Sequence, residues 1–483
     1  MQVRKVLTFL LAVVGLGLAA SCATSPRMVW GDLAPHVQPA LAKVDLDRLD
    51  QELVAWLGDY LRTDTTNPPG NETRGAELLA TVLAQNGIGS QILEFAPGRG
   101  SLVARVRGTG KLPPLCLLSH IDVVTANAQQ WPRDRGPLSG AVHEGEIWGR
   151  GALDMKSMGI LELAVLVAVK RSGVALDRDL VLLAVADEEV DNRGIKHLVA
   201  DHWDKIGCSH LVNEGGLGVR GALRADQTVF AISTAEKGLL WVKMTARGKS
   251  GHGSTPMPDR APDRLLDALQ RLRAKVAPVS FHPSLYATLG EVGAHLGGVQ
   301  GYVLQRPALV EWLALDTLLA EPGSKAMLTN TIAVTGFFGA EQPNVVPDAV
   351  SAQLDCRLLP GTEPRAFLYE LQKTVADPQV EFQVLHEAPA SESPPDDPLF
   401  LALGRHAVIG RSDAVAGPLL SVGFTDSLWV RQKGVRAYGF VPVEVSREIA
   451  ATFHGANERV PIAAVQRGMR VLLGAVVDFA AHR

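Results

Sequence analysis

Leu180-Val181-Leu182-Leu183-Ala184-Val185-Ala186-Asp187-Glu188-Glu189 is the stretch that decides the fold. Seven apolar residues run straight into three carboxylates. An unbroken apolar run of this length predicts a strand buried on both faces. Three more runs have the same form. Residues 115–119 end at His120, residues 210–213 end at Glu214, and residues 435–440 lie late in the chain. Helical spacing fills the intervals at 41–60, 75–86 and 155–170. Buried strands separated by helices predict an α/β domain with a mostly parallel sheet covered on both faces. In such sheets ligands collect beyond the carboxyl ends of the strands. His120, Glu188, Glu189 and Glu214 all fall at such ends.

Beyond residue 236 the pattern changes. Residues 238–247 and 331–338 are strand-like, and 260–275 is helical. In 349–358, Val350, Ala352, Leu354, Cys356 and Leu358 alternate with polar residues, as in a half-buried antiparallel strand. A helix at 364–376 and a strand at 380–385 complete a β-α-β-β-α-β order, the split βαβ plan. The reading is an inserted α+β lid domain at 236–387. The larger domain is then discontinuous, 41–235 and 388–483, with 388–398 as the return linker. Residues 279–327 are too long for a simple connection and rich in Leu and aromatics. They predict either an extra helical layer on the smaller domain or a wall for an apolar substrate.

The first residues form a separate unit. Arg4 and Lys5 precede an apolar run at 6–20, and Ser21-Cys22-Ala23 fits a small-x-small cleavage pattern. Residues 1–23 therefore predict an export signal, and Cys22 also fits a lipoprotein signal. This places the mature chain in the periplasm or at the outer surface, with membrane attachment only through a lipid on Cys22. The 483 residues carry 47 Lys+Arg against 51 Asp+Glu, a formal charge of -4, so no basic excess points to nucleic acid. Four Cys without a C-x-x-C pair exclude a disulfide scaffold.

The acidic and imidazole residues form a set. His120 and Asp122 lie in Ser119-His120-Ile121-Asp122, and Asp154 in Gly149-Arg150-Gly151-Ala152-Leu153-Asp154-Met155-Lys156. Glu188-Glu189, Glu214 and His454-Gly455-Ala456-Asn457-Glu458 follow. Two imidazoles and several carboxylates suit a pair of divalent ions such as zinc, one carboxylate bridging. A further carboxylate outside the ligand set could take a proton from water, and two adjacent glutamates could divide these tasks.

In order and composition these motifs resemble the co-catalytic zinc metallopeptidases that include glutamate carboxypeptidase, aminoacylase, carnosinase and carboxypeptidase S. The likeness runs from about Leu41 to the C-terminus. Ser233-Thr234-Ala235-Glu236-Lys237-Gly238 and the long insertion place it nearest the carboxypeptidase S and secreted N-acyl-amino-acid hydrolase branch. The resemblance implies that Asp154 bridges two zinc ions, with His120 and Glu214 on one and Glu189 and His454 on the other. Glu188 would be the general base, and Asp122 would hold the His120 ring. His252 would stabilise the oxyanion from the lid, and Arg357 with Asn330 would bind the substrate's free carboxylate. Gly423-Phe424-Thr425-Asp426-Ser427 resembles the family's active-site loop, and the Asp154–Met155 peptide would be cis. The implied substrate is a small peptide or N-acyl amino acid, cleaved beside a free carboxylate. A dipeptidase or an amidohydrolase of non-peptide amides is the alternative on the same fold, and a catalytically silent binding protein is a second. Met155 departs from the acidic residue common after the bridging Asp. A serine hydrolase lacks its G-x-S-x-G, and Lys243 stands where a P-loop before Gly248-Lys249-Ser250 needs its first Gly. Monomer and dimer both stay open.

Overall fold

The computed structural model describes residues 37–222, 224–255, 257–339 and 342–481. The leader and Cys22 lie outside the described residues. Helices α1 (Leu46–Arg62) and α2 (Glu72–Gln85) lead into strands β1 (Ser90–Glu94), β2 (Gly100–Val106) and β3 (Leu115–His120). Then follow α3 (Lys156–Ser172), β4 (Leu180–Val185), α4 (Arg193–Asp201), β5 (His210–Arg220) and β6 (Thr228–Glu236). The Asp45 carboxylate caps α1 by accepting from the Arg48 N–H at 2.9 Å. Leu49, Leu53, Leu57 and Leu61, at four-residue spacing, point into the core. Helix α3 is apolar nearly all round and is buried over almost its whole length, in the centre of the domain.

The lid comprises β7 (Gly238–Arg247), α5 (Ala261–Ala274), four helices of the insertion, β8 (Thr331–Phe338), β9 (Ala349–Leu358), α10 (Pro364–Val375) and β10 (Val380–Ala388). The insertion helices are α6 (Pro283–Leu296), α7 (Gly298–Leu304), α8 (Pro307–Ala320) and α9 (Pro322–Leu328), numbered before α10 in chain order. The chain then returns through α11 (Pro398–Val408), β11 (Ala414–Ser421), β12 (Arg436–Ser446) and α12 (Ile462–Ala480).

The large sheet has the order β1-β2-β4-β3-β5-β12-β6, and β11 also pairs with β6. Its centre, β4-β3-β5-β12, is parallel. Its flanks are not: β1 and β2 run antiparallel, and β6 is antiparallel to β5 and β12. The sheet is therefore mixed. Short turns join β1 to β2 and β5 to β6, and a short turn can only produce an antiparallel pair. Register brings His120 level with Val185, so the ends of β3 and β4 open on one crevice. Strand β5 does not end at Glu214 as expected but runs on to Arg220, and Gly439 lets β12 approach its middle: a Cβ there would lie 2.1 Å from the carbonyl oxygen of Glu214.

The lid sheet is antiparallel with the order β8-β9-β7-β10. The alternate residues Ala352, Leu354, Cys356 and Leu358 of β9 are fully buried under α5 and α10. Two sequence expectations are corrected. Ser391–Glu392, inside the expected linker, pairs with β6 and adds to the large sheet. The first helix of the insertion does not lie on the smaller domain. Helix α6 packs on the large sheet, where Val292 meets Val229 and Val415 and Thr288 Oγ1 donates to the Pro418 carbonyl at 2.5 Å. Strand β11 would otherwise leave its apolar side bare, and α6 covers it.

Candidate metal centre

Five side chains from distant parts of the chain converge beside the carboxyl ends of β3 and β4. His120, Asp154 and Glu214 form one group and Asp154, Glu189 and His454 another, the ligand atoms of each lying within 4.8 Å of one another. His120 Nε2 is 3.0 Å from Asp154 Oδ1 and 3.7 Å from Glu214 Oε1. His454 Nε2 is 2.8 Å from Asp154 Oδ2 and 3.4 Å from Glu189 Oε2. Asp154 thus turns one oxygen to each group. The Asp154–Met155 peptide is cis.

Neighbouring hydrogen bonds orient these groups. His120 Nδ1 lies 2.9 Å from the backbone carbonyl of Asp122, so Nδ1 carries the ring proton and Nε2 keeps its lone pair for a ligand role. Asp122 thus holds the ring through its backbone, and its carboxylate lies 3.8 Å from Nδ1. That carboxylate also accepts the N–H groups of Glu188 and Glu189, both at 3.1 Å, and Asn67 Nδ2 at 2.9 Å. It shapes the turn that carries the two glutamates. Asp187 in that turn has φ 70 and is held by Arg99 Nη2 at 2.5 Å and Asn67 Nδ2 at 3.0 Å. Holding a non-glycine residue in the left-handed region costs about 1 kcal/mol or more, which these bonds offset.

Arg150 and Glu458 lie within the motifs, and nothing in their local sequence assigns them a role. In the structure they form a buried clamp. Glu458 Oε1 accepts the N–H groups of Gly151, Leu153 and Asp154 at 3.1, 2.7 and 3.1 Å. Glu458 Oε2 takes Arg150 Nη1 at 2.5 Å, and Arg150 Nη2 donates to the carbonyls of His454 and Gly455. The segments bearing Asp154 and His454 are thereby tied together. Lys156, fully buried, donates to the carbonyls of Tyr60 and Thr63 at 2.9 and 2.7 Å and closes the end of α1. Asp426 is buried and accepts from Asn192 Nδ2 at 2.9 Å.

The lid residues stand differently. His252 is exposed and makes no hydrogen bond or ion pair with either ligand group among the described residues. Its Nδ1 accepts the Ser254 N–H at 3.3 Å, which leaves the proton on Nε2. Arg357 is paired through Nε and Nη2 with Asp355 at 2.8 and 3.1 Å, and its guanidinium lies 5.2 Å from the Phe424 ring. Asn330 Oδ1 accepts the Leu359 N–H at 2.7 Å, so its carbonyl oxygen serves the lid backbone.

The donor set fits two divalent cations. Asp154, Glu188, Glu189 and Glu214 gather about only two imidazoles, and Glu189 Oε1 is buried without a hydrogen-bond partner. Burial raises Glu188 well above the ordinary carboxylate range, and the charge of Glu214 adds to this. Glu214 is raised by burial and by Asp154. The hydrogen bonds to Asp154 and Glu189 push His454 up to about 10. These shifts have one sign. A carboxyl raised in the folded state contributes stability below its unfolded value of 4.5 and loses it as pH rises through the folded value. A raised imidazole contributes below its unfolded value of 6.5 and loses it towards about 10. The EDTA-treated protein should therefore lose stability steadily from about pH 5 to pH 9. Bound cations favour ionised carboxylates and neutral imidazoles, so the metal-loaded protein should resist this loss. Melting temperatures of both forms across that range check it; a constant gap between them would count against a cation site.

Fold and site together define a metal-dependent hydrolase of peptide or amide bonds with two adjacent ion sites. Residues 116–478 match the model of peptidase family M20/M25/M40, and the chain belongs to that family. Human N-fatty-acyl-amino acid synthase/hydrolase PM20D1 is 27% identical over 370 residues, 75% of this chain and 73% of that protein. Aminoacylase-1 of Sus scrofa is 26% identical over 421 residues, 85% of this chain and 91% of that protein. Among solved structures, the M20 family metallo-carboxypeptidase Sso-CP2 from Sulfolobus solfataricus has a TM-score of 0.67 at 18% identity, covering 89% of this chain and 99% of that one. Human carnosine dipeptidase 1 has a TM-score of 0.63 at 14% identity, covering 92% and 99%.

Proposed function

We propose that this chain is a di-zinc N-acyl-amino-acid hydrolase of the carboxypeptidase S and secreted N-acyl-amino-acid hydrolase branch. The observation that carries the reading is its likeness, over most of their lengths, to an N-fatty-acyl-amino acid synthase/hydrolase and an aminoacylase. The apolar insertion supports an acyl group of apolar character.

His120 and Glu214 would hold one ion, Glu189 and His454 the other, and Asp154 both. Bound there, two divalent ions polarise a carbonyl and make water acidic enough to ionise near neutral pH. Glu188 belongs to neither ligand group and is free to take a proton from the attacking water. It then delivers that proton to the departing amine nitrogen. His252 presents Nε2–H, the donor an oxyanion requires, from the lid. Arg357 spends Nε and Nη2 on Asp355 and keeps Nη1 for the substrate carboxylate. Its packing on Phe424 joins the lid to the loop of the larger domain.

A panel of N-acyl amino acids and free dipeptides, assayed on zinc-loaded protein, tests the reading. N-acyl amino acids should have the higher kcat/KM. Turnover confined to dipeptides with a free amine would support the dipeptidase alternative instead.

A further inference from the structure

The geometry points to a second ligand site, a groove in the lid that binds a free long-chain fatty acid. This inference does not rest on the proposed reaction.

Strand β8 lies at the edge of the lid sheet. Its Ile332 and Val334 stand opposite Cys356 and Leu354 of β9. Directly opposed residues share a face of the sheet. Cys356 and Leu354 are fully buried under the lid helices, yet Ile332 and Val334 stay 36% and 38% exposed. The helical layer thus stops one strand short. Helix α5 ends at Ala274, and the chain leaves through Val276, which is 89% exposed, towards the insertion. The uncovered apolar face becomes a groove lined by Leu272, Val276, Asn330, Ile332 and Val334 and walled by Leu319 of α8. Its volume is about 610 Å³, within the roughly 300–1,000 Å³ of small-molecule sites.

The charge around it has one sign. Arg273, Lys275 and Lys325 line the groove, and no carboxylate does. Lys275 lies 3.3 Å from Glu370, whereas Arg273 and Lys325 have no ion-pair partner among the described residues. An apolar channel rimmed by unpaired cations complements a long hydrocarbon chain ending in one carboxylate.

Palmitate binding to the zinc-loaded full chain, followed by calorimetry, tests this. About one palmitate per chain should bind, and the uncharged alcohol of the same chain length should bind more weakly. Val334→Glu and Lys325→Glu should each weaken palmitate roughly tenfold or more, with hydrolysis of an N-acetyl amino acid unchanged. Both positions are partly or fully exposed, and circular dichroism verifies that each variant folds. As a variant that adds bulk rather than charge, Ile332→Trp should also lower affinity. The inference is overturned if palmitate does not bind, if both charge variants bind it as the parent does, or if an N-acetyl amino acid displaces it, which would place it at the metal centre. It is also overturned if Val334→Glu converts a dimer to a monomer while palmitate binding persists, since the groove would then serve a second copy of the chain. The readout is binding, so its failure is separate from a failure of the proposed hydrolysis.

Discussion

Glu188→Gln should lower kcat by about 10³-fold or more while the protein retains its full metal content. General acid–base catalysis contributes roughly 10²–10⁴-fold, and here one carboxylate would serve at both proton transfers. Glu188 stands outside both ligand groups. Its backbone N–H is held by Asp122 in the same way as that of Glu189, so the substitution leaves the turn intact. Burial and the nearby Glu214 raise its affinity for a proton, the direction a base working near neutral pH requires. Metal analysis and steady-state kinetics on the same preparation separate the two effects. Substantial activity in the metal-loaded variant would remove Glu188 from the reaction. Loss of metal together with activity would make it a ligand instead.

Glu458→Gln should show the second large effect, a fall in both stability and metal affinity. The amide keeps an oxygen for the N–H groups of Gly151, Leu153 and Asp154 but cannot neutralise Arg150. Leaving a buried charge without its partner costs about 3–5 kcal/mol. The clamp acts from behind the candidate ligands Asp154 and His454, and loss of such support lowers metal affinity by roughly 10–100-fold. Denaturant unfolding and competitive zinc titration measure the two quantities. Glu458→Ala, which also removes the N–H acceptor, should cost more on both. Parent-like zinc affinity in a destabilised variant would reduce the clamp to a role in folding alone.

Much of the architecture was legible because it follows from local pattern. The runs at β3, β4 and β5 are continuous because both faces of those strands are covered, and β9 alternates because only one is. The antiparallel flanks were less legible. Hairpin strands such as β1 are partly exposed and carry no continuous apolar run. The insertion's composition announced burial of something apolar, yet composition cannot say against which surface, and α6 chose the edge of the large sheet.

The sequence by itself singled out the candidate residues. An imidazole or carboxylate straight after a buried apolar run has few inexpensive fates, and four such residues stand there, with Asp154 and His454 in motifs of their own. Only the tertiary structure decided how they are held. Arg150 and Glu458 are 308 residues apart, and nothing local to either announces their pairing. Asp122 could face the His120 ring or the Glu188 turn, and the choice between its carbonyl and its carboxylate was settled by how β3 and β4 end side by side. Hydrogen bonds of this kind depend on the approach of segments to within about 3 Å, a property of the packed chain rather than of any stretch of it.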